Sequence, residues 1–84
     1  ICSKYFLRML VENEPGVLAA VTAVFGDRKV SIEQIIQKKK IEELAEIVVI
    51  TEKVKERHVK DSLKAFEEMT AVKKVSSVIR VYGE

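Results

Sequence analysis

The chain has very few of the residues that build catalytic, metal and nucleotide sites. Its 84 residues include one cysteine, one histidine, one proline, three glycines and no tryptophan. One cysteine cannot form an internal disulfide or a thiolate metal cluster, and a lone histidine supplies neither a metal site nor a nucleophile dyad. Three scattered glycines cannot assemble a dinucleotide-binding fingerprint or a phosphate loop. We therefore expect no catalytic residue, no metal and no cofactor in this chain.

Long apolar runs and a large charge excess are also absent. No stretch approaches the roughly 18–20 apolar residues of a membrane span, and no signal peptide precedes the first predicted strand. The net charge is +2, and acids and bases are interspersed except at the three lysines 38–40, which Glu42 and Glu43 follow closely. We interpret these lysines as a solvated hairpin tip and expect neither a membrane nor a nucleic-acid partner. A single unpaired thiol suits the reducing cytoplasm.

Two apolar periodicities divide the chain into strands and helices. Residues 5, 7, 9 and 11 form an apolar face with a period of two, whereas the apolar residues from Val17 to Phe25 recur with helical spacing. Along the chain, these patterns predict strands at 4–12, 31–38, 45–51 and 72–82 and helices at 16–27 and 55–69. The last strand is expected to bend or bulge near Ser76. The predicted order is β-α-β-β-α-β.

This order predicts an α+β fold, a single ferredoxin-like βαββαβ sandwich over residues 1–84. Right-handed crossovers favour a four-stranded antiparallel sheet in the order 4-1-3-2 with both helices on one face. Strand two then lies at an edge and carries Ile32, Ile35 and Ile36, which we expect a second copy to cover by strand pairing. Because the chain starts at Ile1 without an initiator methionine, we expect it to be a fragment of a larger enzyme.

The most informative segment is the turn Asn13-Glu14-Pro15-Gly16-Val17-Leu18, where the period changes from strand to helix. Proline is tolerated in the first turn of a helix, because the N–H groups there have no partner inside the helix. The neighbouring glycine leaves the following amides uncovered at the positive end of the helix dipole, where carboxylates bind. The Asn13 amide or a carboxylate of the same turn is available for an ammonium group. The turn therefore predicts recognition of an amino acid by its two charged ends.

Two other functions use the same predicted fold or the same residues. Ferredoxin-like RNA-binding domains stack bases on aromatic side chains of both central strands. Here strand one has Tyr5 and Phe6, but strand three has no aromatic residue. Glu12 and Glu14 form a pair of carboxylates beside the turn, yet no second catalytic group accompanies them. We therefore favour a binding module over an RNA-binding domain or an enzyme.

The same segments resemble the ACT domain family over essentially the whole chain. The resemblance rests on the turn 13–18, on residues 30–37 (VSIEQIIQ) and on the order of the elements. More narrowly, residues 5–11 (YFLRMLV), 45–48 (AEIV) and 77–81 (SVIRV) look like the carboxy-terminal ACT domain of homoserine dehydrogenase, an NAD(P)-dependent oxidoreductase.

The resemblance implies a non-catalytic regulatory domain of amino-acid biosynthesis, joined to a catalytic domain in its parent chain. ACT domains commonly pair side by side as homodimers through strand two and bind an amino acid at the seam. Carried onto this sequence, the ligand-binding positions are Asn13, Glu14, Pro15, Gly16, Val17 and Leu18 on the turn of one copy, and Gln34 and Gln37 on the facing strand two of the other copy. For a homoserine dehydrogenase, the implied effector is threonine, acting by feedback inhibition. The alternative is a ligand-free dimerisation module.

Overall fold

The computed structural model describes residues 2–81, which form five strands and two helices. In chain order the elements are β1 (Cys2–Glu12), α1 (Val17–Asp27), β2 (Ile32–Ile41), β3 (Leu44–Thr51), β4 (Val54–Lys55), α2 (Glu56–Glu67) and β5 (Val72–Val81). The four long strands and two helices have the predicted βαββαβ order. The sequence pattern missed β4, because two residues carry no measurable period. Residue 82, the predicted end of the last strand, lies outside the described residues.

All strand pairs are antiparallel, and β1 lies inside the sheet. β3 pairs with one side of β1, β5 pairs with the other side, and β2 pairs with the outer side of β3. The long strands therefore run β2-β3-β1-β5, which is the predicted order 4-1-3-2 seen from the opposite edge. The short β4 pairs only with Cys2 and Ser3 at the start of β1. The ferredoxin-like α+β fold is confirmed, with β2 at an edge as predicted.

The core lies between one face of the sheet and the two helices. Alternate residues of β1 and β3 point into it, and each helix adds one apolar stripe. The buried residues that form it include Tyr5, Leu7, Met9 and Val11 of β1, Ala45, Ile47 and Val49 of β3, Val17, Val21 and Phe25 of α1, and Val59 and Phe66 of α2. The rings of Phe25 and Phe66 meet edge to face with their centroids 5.0 Å apart, which joins the two helices above the sheet.

Two polar side chains are buried in the described part of the chain, and both are hydrogen-bonded. The Thr51 hydroxyl accepts a bond of 3.0 Å from the Tyr5 amide and donates one of 2.7 Å to the Glu52 carbonyl. The Ser62 hydroxyl donates a bond of 3.0 Å to the His58 carbonyl one turn earlier in α2. Because both hydroxyls have partners, these groups enter the core without an unsatisfied donor or acceptor.

The end of α1 is formed without a glycine in the left-handed position. The helix continues through Gly26 to Asp27, and Lys29 adopts φ 65°. The Lys29 amide donates to the Gly26 carbonyl and the Val30 amide donates to the Phe25 carbonyl, at 3.1 and 2.9 Å. These two bonds form a Schellman motif, which satisfies carbonyls that the helix end leaves free.

Among the described residues, no helix has the length and apolarity to cross a membrane.

The interpretation of lysines 38–40 as a hairpin tip is wrong. They lie inside β2, which extends to Ile41, and the tip is formed by Glu42 and Glu43. No glycine, asparagine or proline stands between lysines 38–40 and β3 to form an earlier tight turn. Both strands therefore continue to the tip, where Glu42 takes the left-handed conformation at φ 56°. The lysines are exposed, as expected for charged side chains on an edge strand.

The predicted irregularity near Ser76 is confirmed. Arg8 of β1 pairs with Ser77, but its neighbour Met9 pairs with Val75, so that Ser76 is the extra residue of a bulge in β5. α2 begins at Glu56 and ends at Glu67, one and two residues inside its predicted limits. Its first residue follows Lys55, which offers no side-chain cap, so local sequence did not define this boundary.

Replacing Phe66 by alanine should lower the free energy of unfolding by about 3–5 kcal/mol, because it opens a cavity beside Phe25. The matched control is Phe6→Ala, since Phe6 is 40% exposed on the other sheet face. We expect this change to cost about 1 kcal/mol or less. Urea denaturation at low micromolar protein, followed by circular dichroism, measures both values. Equal losses would contradict the placement of the core.

Replacing Lys29 by glycine should raise the free energy of unfolding by about 0.5–1 kcal/mol, because glycine takes positive φ without steric cost. Lys29→Ala is the control, since it removes the same side chain but keeps a Cβ atom at φ 65°. The two thermal denaturation midpoints should differ in favour of the glycine variant. A glycine variant no more stable than the alanine variant would show that Lys29 is not strained.

Candidate functional site

The turn between β1 and α1 is held from two sides by backbone hydrogen bonds. The Glu12 amide donates to the Ala71 carbonyl in the segment before β5, and the Asn13 amide donates to the Glu43 carbonyl at the tip of the β2–β3 hairpin, both at 2.8 Å. These bonds join the turn to elements that are distant in sequence. Its position is therefore set by the fold and not by the turn residues alone.

Gly16 gives the turn its shape and begins α1 as the N-cap residue. Its φ of 86° and ψ of −10° are left-handed, a conformation that glycine adopts without steric cost. The Val17 amide donates to the Glu14 carbonyl at 3.2 Å, and the Ala20 amide donates to the Gly16 carbonyl at 3.0 Å. No side chain caps the helix.

Two amides of the first helical turn are left without a protein acceptor. Between Val17 and Ala20, the N–H groups of Leu18 and Ala19 make no hydrogen bond with any part of the chain that the structure describes. They stand at the positive end of the helix dipole, where an anionic oxygen is stabilised by direct hydrogen bonds and by the dipole. The prediction of uncovered amides after the Pro-Gly pair is confirmed.

A cleft of about 260 Å³ lies beside these amides. It is formed by the end of β1, the turn, the first residues of α1 and one residue each from β2 and β3. The lining residues are Val11, Glu12, Asn13, Glu14, Pro15, Gly16, Val17, Leu18, Ala19, Gln37 and Ala45. All six predicted turn residues therefore line one cleft. Val11, Ala19 and Ala45 were not predicted as lining residues, because strand register and helix direction decide which residues lie close to the turn.

The two predicted glutamines occupy opposite faces of β2. Gln37 pairs with the core residue Ile47, which places it on the helix side, where it lines the cleft of its own chain. Gln34 pairs with Ile50, whose neighbour on β1 is the exposed Phe6, and therefore lies on the open side of the sheet. The structure brings Gln37, and not Gln34, to the turn within one chain.

The carboxylates beside the turn have different surroundings. Glu12 Oε2 lies 3.1 Å from Lys73 Nζ, so its charge is compensated by β5. Glu14 is exposed and has no ion-pair partner among residues 2–81. Asn13 is also exposed. Glu14 and the Asn13 side chain are therefore the groups of this cleft that are available for a cation.

The three edge isoleucines do not share one face of β2. Ile32 and Ile35 are half-buried and pack against the core, whereas Ile36 is 36% exposed on the open face. A register shift between Ile32 and Gln34 makes Glu33 a bulge residue, which is why two residues three positions apart face the same side. The outer edge of β2 pairs with no strand of the described chain.

Residues 5–70, from β1 to the segment after α2, match the model of the ACT domain family. The chain belongs to the ACT domain family. The predicted family resemblance is thereby confirmed, and the residues that line the cleft beside Gly16 lie within the matched range. Among the described residues, no cluster of histidine, cysteine or acidic side chains with the spacing of a metal site is present.

Homoserine dehydrogenases are similar to this ACT domain along nearly its whole length. The enzyme of Neisseria gonorrhoeae is 39% identical over 82 residues, which are 96% of this chain and 19% of the relative. The enzyme of Bacillus subtilis is 39% identical over 85 residues, which are 99% of this chain and 20% of the relative. The chain thus spans about a fifth of the length of the curated relatives it matches.

A solved homoserine dehydrogenase shares the fold. The crystal structure of the enzyme from Thiobacillus denitrificans matches this domain with a TM-score of 0.83 and 29% sequence identity. The match covers 95% of this chain and 17% of that one. Both comparisons therefore relate the domain to a small part of a much longer enzyme.

Replacing Gly16 by alanine should lower the free energy of unfolding by about 1 kcal/mol through backbone strain. An added Cβ at Gly16 meets no atom within 4 Å, so a steric clash does not contribute. Gly26→Ala is the matched control, because a Cβ there also meets nothing within 4 Å but the residue lies inside α1. This control should instead stabilise the domain by about 0.5–1 kcal/mol. Changes of the same sign in denaturant titrations would contradict the left-handed conformation of Gly16.

Proposed function

We propose that this chain is the amino-acid-binding regulatory domain of a homoserine dehydrogenase, and that its effector is threonine. The observation that carries the proposal is the cleft beside Gly16, where two uncapped amides, an unpaired carboxylate and Gln37 converge. Its membership of the ACT domain family and its similarity to homoserine dehydrogenases support the same conclusion. Catalysis and NAD(P) binding belong, in this proposal, to a separate catalytic domain of the parent chain.

The charged ends of an amino acid match the polar groups of the cleft. The carboxylate accepts hydrogen bonds from the Leu18 and Ala19 amides, and the ammonium group is bound by the Glu14 carboxylate or the Asn13 amide oxygen. Millimolar affinity requires only about 4 kcal/mol, which a few such contacts can supply. In the free domain Glu14 and Asn13 are exposed to water. The protein therefore does not have to keep an unpaired charge buried before the amino acid binds.

The side chain of threonine matches the remaining walls. Val11, Val17 and Ala45 offer apolar contact for its methyl group, and Gln37 offers an amide for its hydroxyl group. The cleft of about 260 Å³ accommodates a small amino acid together with some water. An amide also discriminates against valine, which has the same shape but leaves the amide without its hydrogen bond.

Binding can regulate the parent enzyme because the cleft borders an edge of the sheet. Gln37 belongs to β2, the edge strand that we propose to pair side by side with β2 of a second copy. A ligand that contacts Gln37 and the turn then stabilises one arrangement of the two copies over another. Feedback control follows if the active and inactive arrangements of the parent enzyme bind threonine with different affinities.

Isothermal titration calorimetry with threonine tests the proposal directly. Gln37→Ala should weaken binding about ten-fold, which corresponds to about 1.4 kcal/mol. Gln34→Ala is the matched control, because it removes the same side chain from the same strand on the opposite face, and it should leave the affinity within about two-fold. Equal effects would contradict the assignment of Gln37 to the site.

Threonine titration together with sedimentation velocity separates the proposed regulatory domain from the alternative, a ligand-free dimerisation module. Replacing Pro15 by alanine and Gly16 by leucine together should abolish the threonine response while leaving side-by-side dimerisation largely intact. The unsubstituted chain is tested with threonine, serine, valine and isoleucine, each at about ten times a millimolar dissociation constant. If none of them produces heat or a thermal shift, effector binding is contradicted. A persistent dimer in sedimentation velocity would then favour the dimerisation module.

A further inference from the structure

The helix side of the sheet carries shorter side chains where the cleft beside Gly16 begins. Three successive cross-strand pairs of β1 and β3 on this side are Leu7–Val49, Met9–Ile47 and Val11–Ala45. The first two pairs are fully buried, and neither lines the cleft. Both members of the third pair line it. The cleft therefore lies where the side chains of the sheet become smaller.

Ala45 forms part of the floor of this cleft. The residue is only 3% exposed, so protein atoms surround its methyl group on nearly all sides. Val11 flanks it on β1, and Ile47 follows it on the same face of β3. Lys40, its partner on β2, is exposed and is not among the residues that line the cleft. Because side chains stand roughly perpendicular to a sheet, a longer side chain at this position would extend away from the strands and into the cleft.

The turn suits the two charged ends of an amino acid and leaves its side chain to the floor of the cleft. The free amides at the start of α1 suit the carboxylate, and exposed polar side chains of the turn suit the ammonium group. Both ends are attached to the same carbon atom as the side chain, which is therefore directed toward the apolar floor. The three buried residues there are Val11, Val17 and Ala45. Of these, only Ala45 has a side chain of one carbon atom.

We propose that Ala45 determines the size of the side chain that the effector can carry. The inference deepens the proposed amino-acid-binding function and rests on it. The single methyl group of Ala45 leaves space above the floor for a small branched side chain, such as that of threonine or valine. A larger residue at position 45 occupies this space and competes with the side chain of the effector. Gln37 then distinguishes threonine from valine by hydrogen bonding, whereas Ala45 sets the upper limit of size.

Filling the space above Ala45 should affect binding more than it affects folding. One methylene group more or less in an apolar site changes affinity by about ten-fold or more. Extra methyl groups in a filled core force neighbouring side chains apart, but here the open cleft receives them. Valine also favours a strand more than alanine does. Ala45→Val should therefore fold as stably as the unsubstituted chain and lose its affinity for a branched amino acid.

Thermal denaturation and NMR titration of Ala45→Val test the proposal together. The denaturation midpoint should stay within about 4 °C of that of the unsubstituted chain. The affinity for threonine and for valine should fall at least about ten-fold, whereas the affinity for glycine, which has no side chain to meet the added methyl groups, should stay within about three-fold. Ala23→Val is the matched control, because it adds the same groups at an exposed position of α1 outside the cleft. It should leave the threonine affinity within about two-fold.

A second variant keeps the test decisive if Ala45→Val is unstable or if glycine binds too weakly to measure. Ala45→Gly removes one methyl group from the floor and should raise the affinity for isoleucine relative to threonine at least about five-fold. An unchanged ratio would overturn the proposal.

The outcomes separate this inference from the proposed function. If the unsubstituted chain binds threonine and Ala45→Val binds it equally well, Ala45 does not limit the side chain, and the inference is overturned while the proposed function stands. Equal losses of threonine and glycine affinity in Ala45→Val would overturn it in the same way, because a size limit spares glycine. If the unsubstituted chain binds none of these amino acids, the proposed function and the inference are overturned together.

Discussion

The burial of one face of β1 is the constraint on which the rest of the structure depends. Tyr5, Leu7, Met9 and Val11 are at most 4% exposed, and β1 pairs with a strand on each of its sides. Because the side-chain period of a strand is two, a shift of one residue would move this whole apolar set to the open face. The register of β3 and β5, and the side on which both helices pack, follow from this requirement.

The cleft is a consequence of the same constraint. Burial on β1 ends at Val11, and the chain must then reverse onto the helix side to cover the residues it has just placed there. The left-handed Gly16 makes that reversal within a few residues, and the lack of a capping side chain leaves the Leu18 and Ala19 amides free. A turn that the core requires thus also leaves free N–H groups at a helix N-terminus, the kind of group that stabilises anions.

The sheet presents two surfaces with different physical properties. The edge at β2 offers backbone groups, but bulges near Glu33 and Lys38 and the following lysines limit regular pairing to a short central segment. The open face offers exposed apolar side chains, with the Arg8–Glu46 ion pair among them. The cleft borders β2 and not the open face.

The sequence by itself determined the elements, the topology and the turn. Apolar periods and the Pro15–Gly16 pair are local signals, and right-handed crossover leaves few arrangements of six elements. Only the tertiary structure decided where Gln34 and Gln37 lie, because a bulge changes the face of every later residue by one position. It also decided that lysines 38–40 extend β2 and that Val11 and Ala45 line the cleft. These features depend on contacts between residues distant in sequence, which no local pattern of residues records.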